Sequence, residues 1–167
     1  QSLLIAAISD AGMRASSLAL SEAHGTGTAL GDPIEVGAFS GAVLLSRGTA
    51  VPAIPISGVK ASIGHAEPAA GMTGLHCLVL QMVHGAASAN AQLRTLNHHI
   101  TSIIQAPACA LNVQLSFNVR HGKYRAAGVS SFGYNGTIAH AVLEVCETAP
   151  YAHKLLSRMH TYQRRYV

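Results

Sequence analysis

The chain has 167 residues, 49% of them hydrophobic, which is enough for one domain with a buried core. Only 11% of the residues are charged and 5% are aromatic, so we expect much of the surface to pack against another polypeptide. The net charge of +4 is modest and comes largely from the C-terminal residues, which indicates no nucleic-acid partner.

The cysteines and the apolar segments indicate the compartment. Cys77, Cys109 and Cys146 are odd in number and form neither a disulfide framework nor a zinc-ligand spacing. A reducing compartment follows, either the cytoplasm or a plastid whose targeting region would lie outside this chain. No secretory signal or 18-residue apolar run is visible, so we predict no transmembrane segment. Because the chain opens at Gln1 within a helical pattern, we interpret it as a piece of a longer protein.

The first third of the chain alternates predicted helices and strands. Gln1 to Ala11 has helical periodicity, and Leu18 to Ala23 has the composition of a buried strand. Asp32, Pro33 and Glu35 are typical of a helix start, with an N-cap, a proline in the first turn and an acidic residue. That helix is predicted to run to about Ser46, and a second strand is predicted from Ile54 to Val59.

The remainder of the chain predicts one more helix and three strands. A helix from Pro68 to His84 carries few charges, so we expect it to be buried on most sides, and 86–108 is predicted as loop. Apolar residues alternate with polar ones from Leu111 to Phe117, which is typical of a half-buried strand. Two further strands are predicted, from Arg125 to Phe132 and from Ile138 to Val145. This order indicates an α/β fold with a mostly parallel sheet and antiparallel additions.

Three stretches carry the residues suited to chemistry. The first runs from Ser21 to Pro33 and places His24 at a strand end, followed by Thr26 and Thr28 in two Gly-Thr pairs. An imidazole in a glycine-rich loop suits acid–base or oxyanion work, although a simple turn with a satisfied histidine gives the same pattern. The other two stretches run from Gly58 to Gly71 and from Gly128 to His140.

Together and in this order, the three stretches resemble the C-terminal half of the β-ketoacyl synthase (ketosynthase) domain of type I polyketide and fatty-acid synthases. The resemblance covers about Gln1 to Glu147. It implies the thiolase-like fold: a mixed five-stranded sheet with helices, forming half of an αβαβα sandwich. We therefore predict a ketosynthase half over residues 1–148, and a basic amphipathic tail or interdomain linker over 149–167.

The resemblance implies a decarboxylative Claisen condensation between an acyl thioester and a malonyl group on an acyl carrier protein. His24 and His65 match the family's catalytic histidines, and Lys60 matches its lysine. A cation near His65 would disfavour the imidazolium form of that ring and keep it neutral at pH 7. Thr26 and Thr28 match the threonines that bind the phosphopantetheine arm; the alternative for both is local turn bonding.

The third stretch matches the family's gating loop, at Gly133, Tyr134, Asn135 and Gly136, where the Tyr134 N–H would complete an oxyanion hole. The family usually has Phe-Gly where Tyr134-Asn135 stands here, and an asparagine where Ile138 stands here. These departures keep the histidines and the lysine but change the loop.

The resemblance also implies partners that this chain lacks. They are an N-terminal ketosynthase half bearing the nucleophilic cysteine, an acyl carrier protein and a second copy in a homodimer. No directly bound cofactor or metal is predicted. The alternatives are a non-catalytic half-domain that docks carrier proteins or acts as a scaffold, and another thiolase-fold acyltransferase. The last is disfavoured because those enzymes pair a histidine with an asparagine.

Overall fold

A computed structural model describes residues 1–47, 51–91, 93–104, 109–113 and 126–145. In these ranges, five strands form one sheet in the order β3-β2-β1-β4-β5. Strands β1 to β4 pair in parallel with one another, and β5 runs antiparallel to β4. The strand bounds are β1 Leu18–Glu22, β2 Ile54–Ser57, β3 Cys109–Leu111, β4 Ala126–Phe132 and β5 Ile138–Glu144. The predicted mixed α/β sheet is confirmed.

The central strand β1 is buried because helices cover both faces of the sheet. On one side, Leu18 packs with the apolar residues of two helices, including Leu4 and Val43. On the other side, Leu20 packs with Leu78 and with residues of β4. The β1–β4 register shifts between Leu18 and Leu20, and this irregularity coincides with their placement in different clusters.

Five α-helices lie among the described residues, and the bounds of α1, α2 and α4 agree with the predicted starts and ends to within a few residues. The bounds are α1 Ser2–Asp10, α2 Gly31–Phe39 followed by a π-helical segment Ser40–Leu44, α3 Lys60–Ile63, α4 Ala70–His84 and α5 His98–Ile104, with 3₁₀ turns at Ala15–Ser17 and Glu67–Ala69. The other two were not predicted: α3 is a single turn within the lysine-histidine stretch, and α5 lies in the predicted loop 86–108. This seven-residue helix is too short for a periodic apolar pattern to indicate it.

The prediction that α4 is buried on most sides is wrong. Its buried residues are Ala70, Gly74, Leu78 and Gln81, whereas Met72, Val79 and Leu80 are exposed. A low charge density therefore does not identify the buried face here, because apolar residues also occupy the face that this chain leaves open.

Several predictions concern residues outside the described ranges. They are residues 114–117 of the predicted strand, Cys146 and the tail at 149–167. Within the described residues, the prediction that this strand starts at Leu111 is wrong, because β3 runs from Cys109 to Leu111 and residues 112–113 are not in a strand. Within the described part of the chain, no helix is both long and apolar enough to cross a bilayer.

Candidate active site

His24 lies two residues beyond the end of β1, in a loop that is shaped by glycine and held by a carboxylate. Gly25 has a φ of +48°, which a residue with a side chain rarely adopts. The backbone N–H groups of His24 and Gly25 donate to the two carboxylate oxygens of Glu35, at 2.7 and 2.9 Å. The carboxylate of Glu35 on α2 therefore fixes the backbone at His24 and at Gly25.

His65 follows the neighbouring strand β2 and the short helix α3. Gly64 ends α3 with a φ of +79°, and the next residue is His65. The Nδ1 atom of His65 accepts a hydrogen bond from the Glu67 N–H at 3.0 Å. In the neutral ring the proton therefore lies on Nε2, which is left available as a donor.

The two histidine rings meet, although 41 positions separate them in the sequence. Their centroids are 5.7 Å apart with an interplanar angle of 87°, so the edge of one ring faces the other. The Phe132 ring packs on His24 from the end of β4, at a centroid distance of 5.3 Å. The parallel pairing of β1 with β2 and β4 explains this convergence, since all three strands end at the same edge of the sheet.

The Lys60 ammonium, at the first position of α3, acts on the His24 ring. Burial, together with the charges of Lys60 and His65, lowers the pKa of His24 from 6.5 to about 4. Burial also lowers the pKa of Lys60 itself, while the carboxylates of Glu22 and Glu35 act to raise it. His24 is therefore a neutral imidazole at pH 7.

The threonine loop between His24 and α2 is bonded largely to itself. The Thr28 hydroxyl accepts from the Gly31 N–H at 3.0 Å and lies 3.4 Å from the Thr26 hydroxyl. The predicted N-cap at Asp32 is wrong: α2 begins at Gly31, and Asp32 Oδ1 instead accepts from the Gly27 N–H. Local turn bonding, the alternative for these threonines, is thus present at Thr28.

The predicted turn between β4 and β5 is confirmed. The Gly133 N–H donates to the Thr137 carbonyl at 2.6 Å, and the Gly136 N–H donates to the Gly133 carbonyl at 3.1 Å. Tyr134, at the tip, has a fully exposed side chain. The turn follows Phe132 directly, so it starts beside the His24 ring.

Comparison with known proteins identifies the family. A family model described as "Beta-ketoacyl synthase, C-terminal domain" matches residues 1–94. The chain belongs to the β-ketoacyl synthase family. It is 41% identical to a phenolphthiocerol/phthiocerol polyketide synthase of Mycobacterium tuberculosis over 85% of this chain and 7% of that protein. It is 39% identical to a highly reducing polyketide synthase of Cordyceps militaris over 86% of this chain and 5% of that protein.

Solved ketosynthase structures share the fold of this ketosynthase chain. An oxazolomycin ketosynthase domain of Streptomyces albus superposes with a TM-score of 0.74 at 33% identity, over 86% of this chain and 24% of that one. The ketosynthase from module 6 of the bacillaene synthase of Bacillus subtilis gives 0.73 at 35% identity, over 84% and 26%. The predicted thiolase-like C-terminal half is therefore confirmed, and this ketosynthase chain spans about a quarter of those domain structures.

The sequence did not predict two carboxylates that lie near His24, those of Glu22 and Glu35. Glu35 has the pattern of a helix-start acid, but it accepts from the His24 loop, and burial raises its pKa. Glu22 lies buried at the end of β1, and burial raises its pKa as well. The sequence signal for Glu22 is its position, since a charged residue in a buried strand is costly unless it is paired. The acidic residue near the start of α2 carries no signal beyond the helix start.

A cleft of about 620 Å³ lies next to this site, but the His24 and His65 rings do not line it. Residues of the His24 loop, the end of β2 and α5 line it, among them Gly25, Gly27, His98 and His99. Neither His24 nor His65 lines the cleft, and neither does Lys60. The candidate active site is therefore defined by the contact between the two rings rather than by this cavity.

The lowered pKa of His24 predicts that acid destabilises this ketosynthase chain. Between about pH 6.5 and 4 the imidazole is protonated in the unfolded chain but not in the folded one, so the free energy of unfolding falls as the pH falls through this window. Urea denaturation at a series of pH values measures the slope, and NMR titration of the ring measures the pKa.

The control for this pH dependence is His24→Ala. The raised pKa values of Glu22 and Glu35 make the free energy of unfolding rise as the pH falls, which opposes the effect of His24. The His24 contribution is therefore the difference between the pH curves of the wild type and His24→Ala. Parallel curves for the wild type and His24→Ala would contradict the prediction.

Proposed function

We propose that this chain supplies catalytic groups for decarboxylative Claisen condensation in a polyketide synthase. The observation that carries the proposal is the meeting of the His24 and His65 rings at 5.7 Å. The chain spans about 7% of the first polyketide synthase it matches, so the activity of the whole protein is part of this proposal. A ketosynthase of this kind is an acyltransferase, because it moves an acyl group from a cysteine thioester to carbon.

The two imidazoles would stabilise the enolate. Loss of carbon dioxide from a malonyl thioester breaks a C–C bond and leaves the electron pair as an enolate, with negative charge on the thioester oxygen. Neutral His24 and the Nε2–H of His65 provide N–H donors for that oxygen. The enolate carbon then attacks the acyl thioester, and the cysteine leaves as a thiolate.

Lys60 would keep the donor ring neutral. Burial is the largest cause of the lowered pKa of His24, and the Lys60 ammonium lowers it further, because an ammonium near an imidazolium is unfavourable. A neutral ring donates one hydrogen bond without giving up its proton to the enolate carbon. This role requires Lys60 to stay charged although it is half-buried.

We place the pantetheine arm of an acyl carrier protein along the threonine loop, with Thr26 and Thr28 as its hydrogen-bond partners. The Thr28 hydroxyl already accepts from the Gly31 N–H but still has a proton to donate. The turn from Gly133 to Gly136 would be the gating loop, and the Tyr134 N–H would complete the second oxyanion hole. The packing of Phe132 on His24 supports this placement.

The proposed reaction also needs groups and partners from outside this chain. The nucleophilic cysteine would come from an N-terminal ketosynthase half, the malonyl group from a carrier protein, and the whole would form a homodimer in a reducing compartment. Residues 1–148 would be the ketosynthase part, and 149–167 a tail or linker. The thiols of Cys77 and Cys109 are unsuited to be the nucleophile, because burial raises the pKa of both.

The test is an assay of the purified chain with malonyl and acyl thioesters of a carrier protein. We expect slow release of carbon dioxide and no condensation product, since enolate stabilisation needs only the imidazoles whereas condensation needs an acylated cysteine. Binding of the carrier protein without carbon dioxide release would favour the non-catalytic docking module instead. A condensation product would contradict the assignment of the nucleophile to another polypeptide segment.

A further inference from the structure

Glu22 is a fully buried carboxylate that joins three elements beneath the candidate site. It lies at the end of β1, two residues before His24, with 0% of its surface exposed. Its Oε2 atom accepts from Ser57 Oγ at 2.7 Å on β2 and from Gln81 Nε2 at 3.2 Å on α4. Removing a carboxylate from water costs free energy, so hydrogen-bond donors of the protein have to replace the lost water.

The third donor ties Glu22 to the segment that carries Lys60. Oε1 accepts from the backbone N–H of Val59 at 2.6 Å, and Val59 directly precedes Lys60 at the start of α3. This is the shortest of the three contacts, and of the three it alone reaches the backbone. This hydrogen bond therefore fixes the backbone directly before Lys60, where α3 begins.

The same carboxylate also acts on the charge of the lysine. Burial lowers the pKa of Lys60, and Glu22 is the largest influence in the opposite direction. Reciprocally, burial raises the pKa of Glu22, whereas its three hydrogen-bond donors and the charge of Lys60 act to lower it. Glu22 and Lys60 therefore stabilise each other's charged forms in a place where burial disfavours both.

We propose that Glu22 is a positioning residue of the site: its carboxylate holds the turn before Lys60 and keeps that lysine an ammonium. Glu22 itself would touch no substrate, because its oxygens are occupied by Val59, Ser57 and Gln81. The proposal rests on the proposed function only for what the ammonium does to His24. The placement and charge of Lys60 are properties of the folded chain that are measured without turnover.

The first test compares the wild type with Glu22→Gln and Ser57→Ala, by NMR titration of the Lys60 side-chain nitrogen. Glu22→Gln keeps the side-chain shape, removes the charge and replaces one acceptor oxygen by an NH2 donor, so we expect a lower Lys60 pKa. Ser57→Ala removes a hydrogen bond from the same network but leaves the charge, so we expect it to affect stability without a comparable fall in the Lys60 pKa. Equal Lys60 pKa values in the wild type and Glu22→Gln would overturn the proposal.

A second pair of variants isolates the backbone contact, and it also serves if Glu22→Gln does not fold. Val59 has a φ of −56°, which proline adopts, so Val59→Pro removes the N–H donor while Val59→Ala keeps it. We expect amide hydrogen exchange at Ser62, Ile63 and Gly64 to be about tenfold faster in Val59→Pro than in Val59→Ala, as for loss of one charge-assisted hydrogen bond. Equal exchange rates in the two variants would overturn the positioning role.

These measurements separate the two proposals. Wild-type chain that releases no carbon dioxide would contradict the proposed function, yet the Lys60 pKa and the exchange rates would still decide the role of Glu22. Conversely, an active chain in which Glu22→Gln leaves the Lys60 pKa unchanged would contradict only the role of Glu22.

Discussion

Replacing His24 or His65 by alanine is expected to lower malonyl decarboxylation by this chain about 100- to 1,000-fold, the loss typical of removing one donor from an oxyanion hole. The reason is that each ring would provide one N–H to the same enolate oxygen, and the rings lie 5.7 Å apart. The rate of carbon dioxide release from a malonyl carrier-protein thioester measures the effect. The double variant should lose little more than either single one, because donors that act as a unit are not additive.

The matched control is His76→Ala, which removes an exposed imidazole on α4. We expect this variant to keep the wild-type rate, and all three single variants to remain folded by circular dichroism. Carbon dioxide release that is unchanged in His24→Ala or in His65→Ala would contradict the catalytic assignment of that histidine.

Leu78→Ala is expected to lower the free energy of unfolding by about 3 kcal/mol, the cost of a cavity at a fully buried leucine. Leu78 of α4 is 0% exposed and packs with Leu20 of the central strand β1. Leu80 lies on the same helix but is 52% exposed, so Leu80→Ala should cost less than about 1 kcal/mol. Chemical denaturation of the two variants measures the difference.

This pair of leucines also tests which face of α4 is buried in the isolated chain. Similar losses of stability in Leu78→Ala and Leu80→Ala would show that the open face is covered in solution, for example by a second copy. A larger loss in Leu80→Ala would contradict the packing of α4 on the sheet.

Local signals in the sequence predict most of the secondary structure. The apolar run at Leu18–Glu22, the proline at 68 and the glycine at 85 mark boundaries by backbone preferences that act within a few residues. The three motif stretches also predict which residues cluster, because successive parallel strands end at one edge of the sheet. His24 and His65 do meet there, while their catalytic role stays a prediction.

The sequence could not indicate which polar groups pair across the fold. Glu35 has the pattern of a helix-start acid, yet it accepts from the His24 loop eleven residues earlier. Arg47 shows no motif, yet it is buried and donates to the carbonyls of Ala15, Leu18 and Pro52. Such contacts depend on where two segments meet in space, and neither segment carries that information alone.

The sequence by itself determined the order of the five strands and the three longest helices, the three glycine-rich stretches and the resemblance to a ketosynthase half, because these depend on local backbone preferences and residue identity. Only the tertiary structure decided that α4 has an open face, that Glu22 reaches the N–H before Lys60, and that the pKa of His24 falls to about 4. Burial and electrostatic neighbours set these properties, and both arise when strands distant in sequence come to lie side by side.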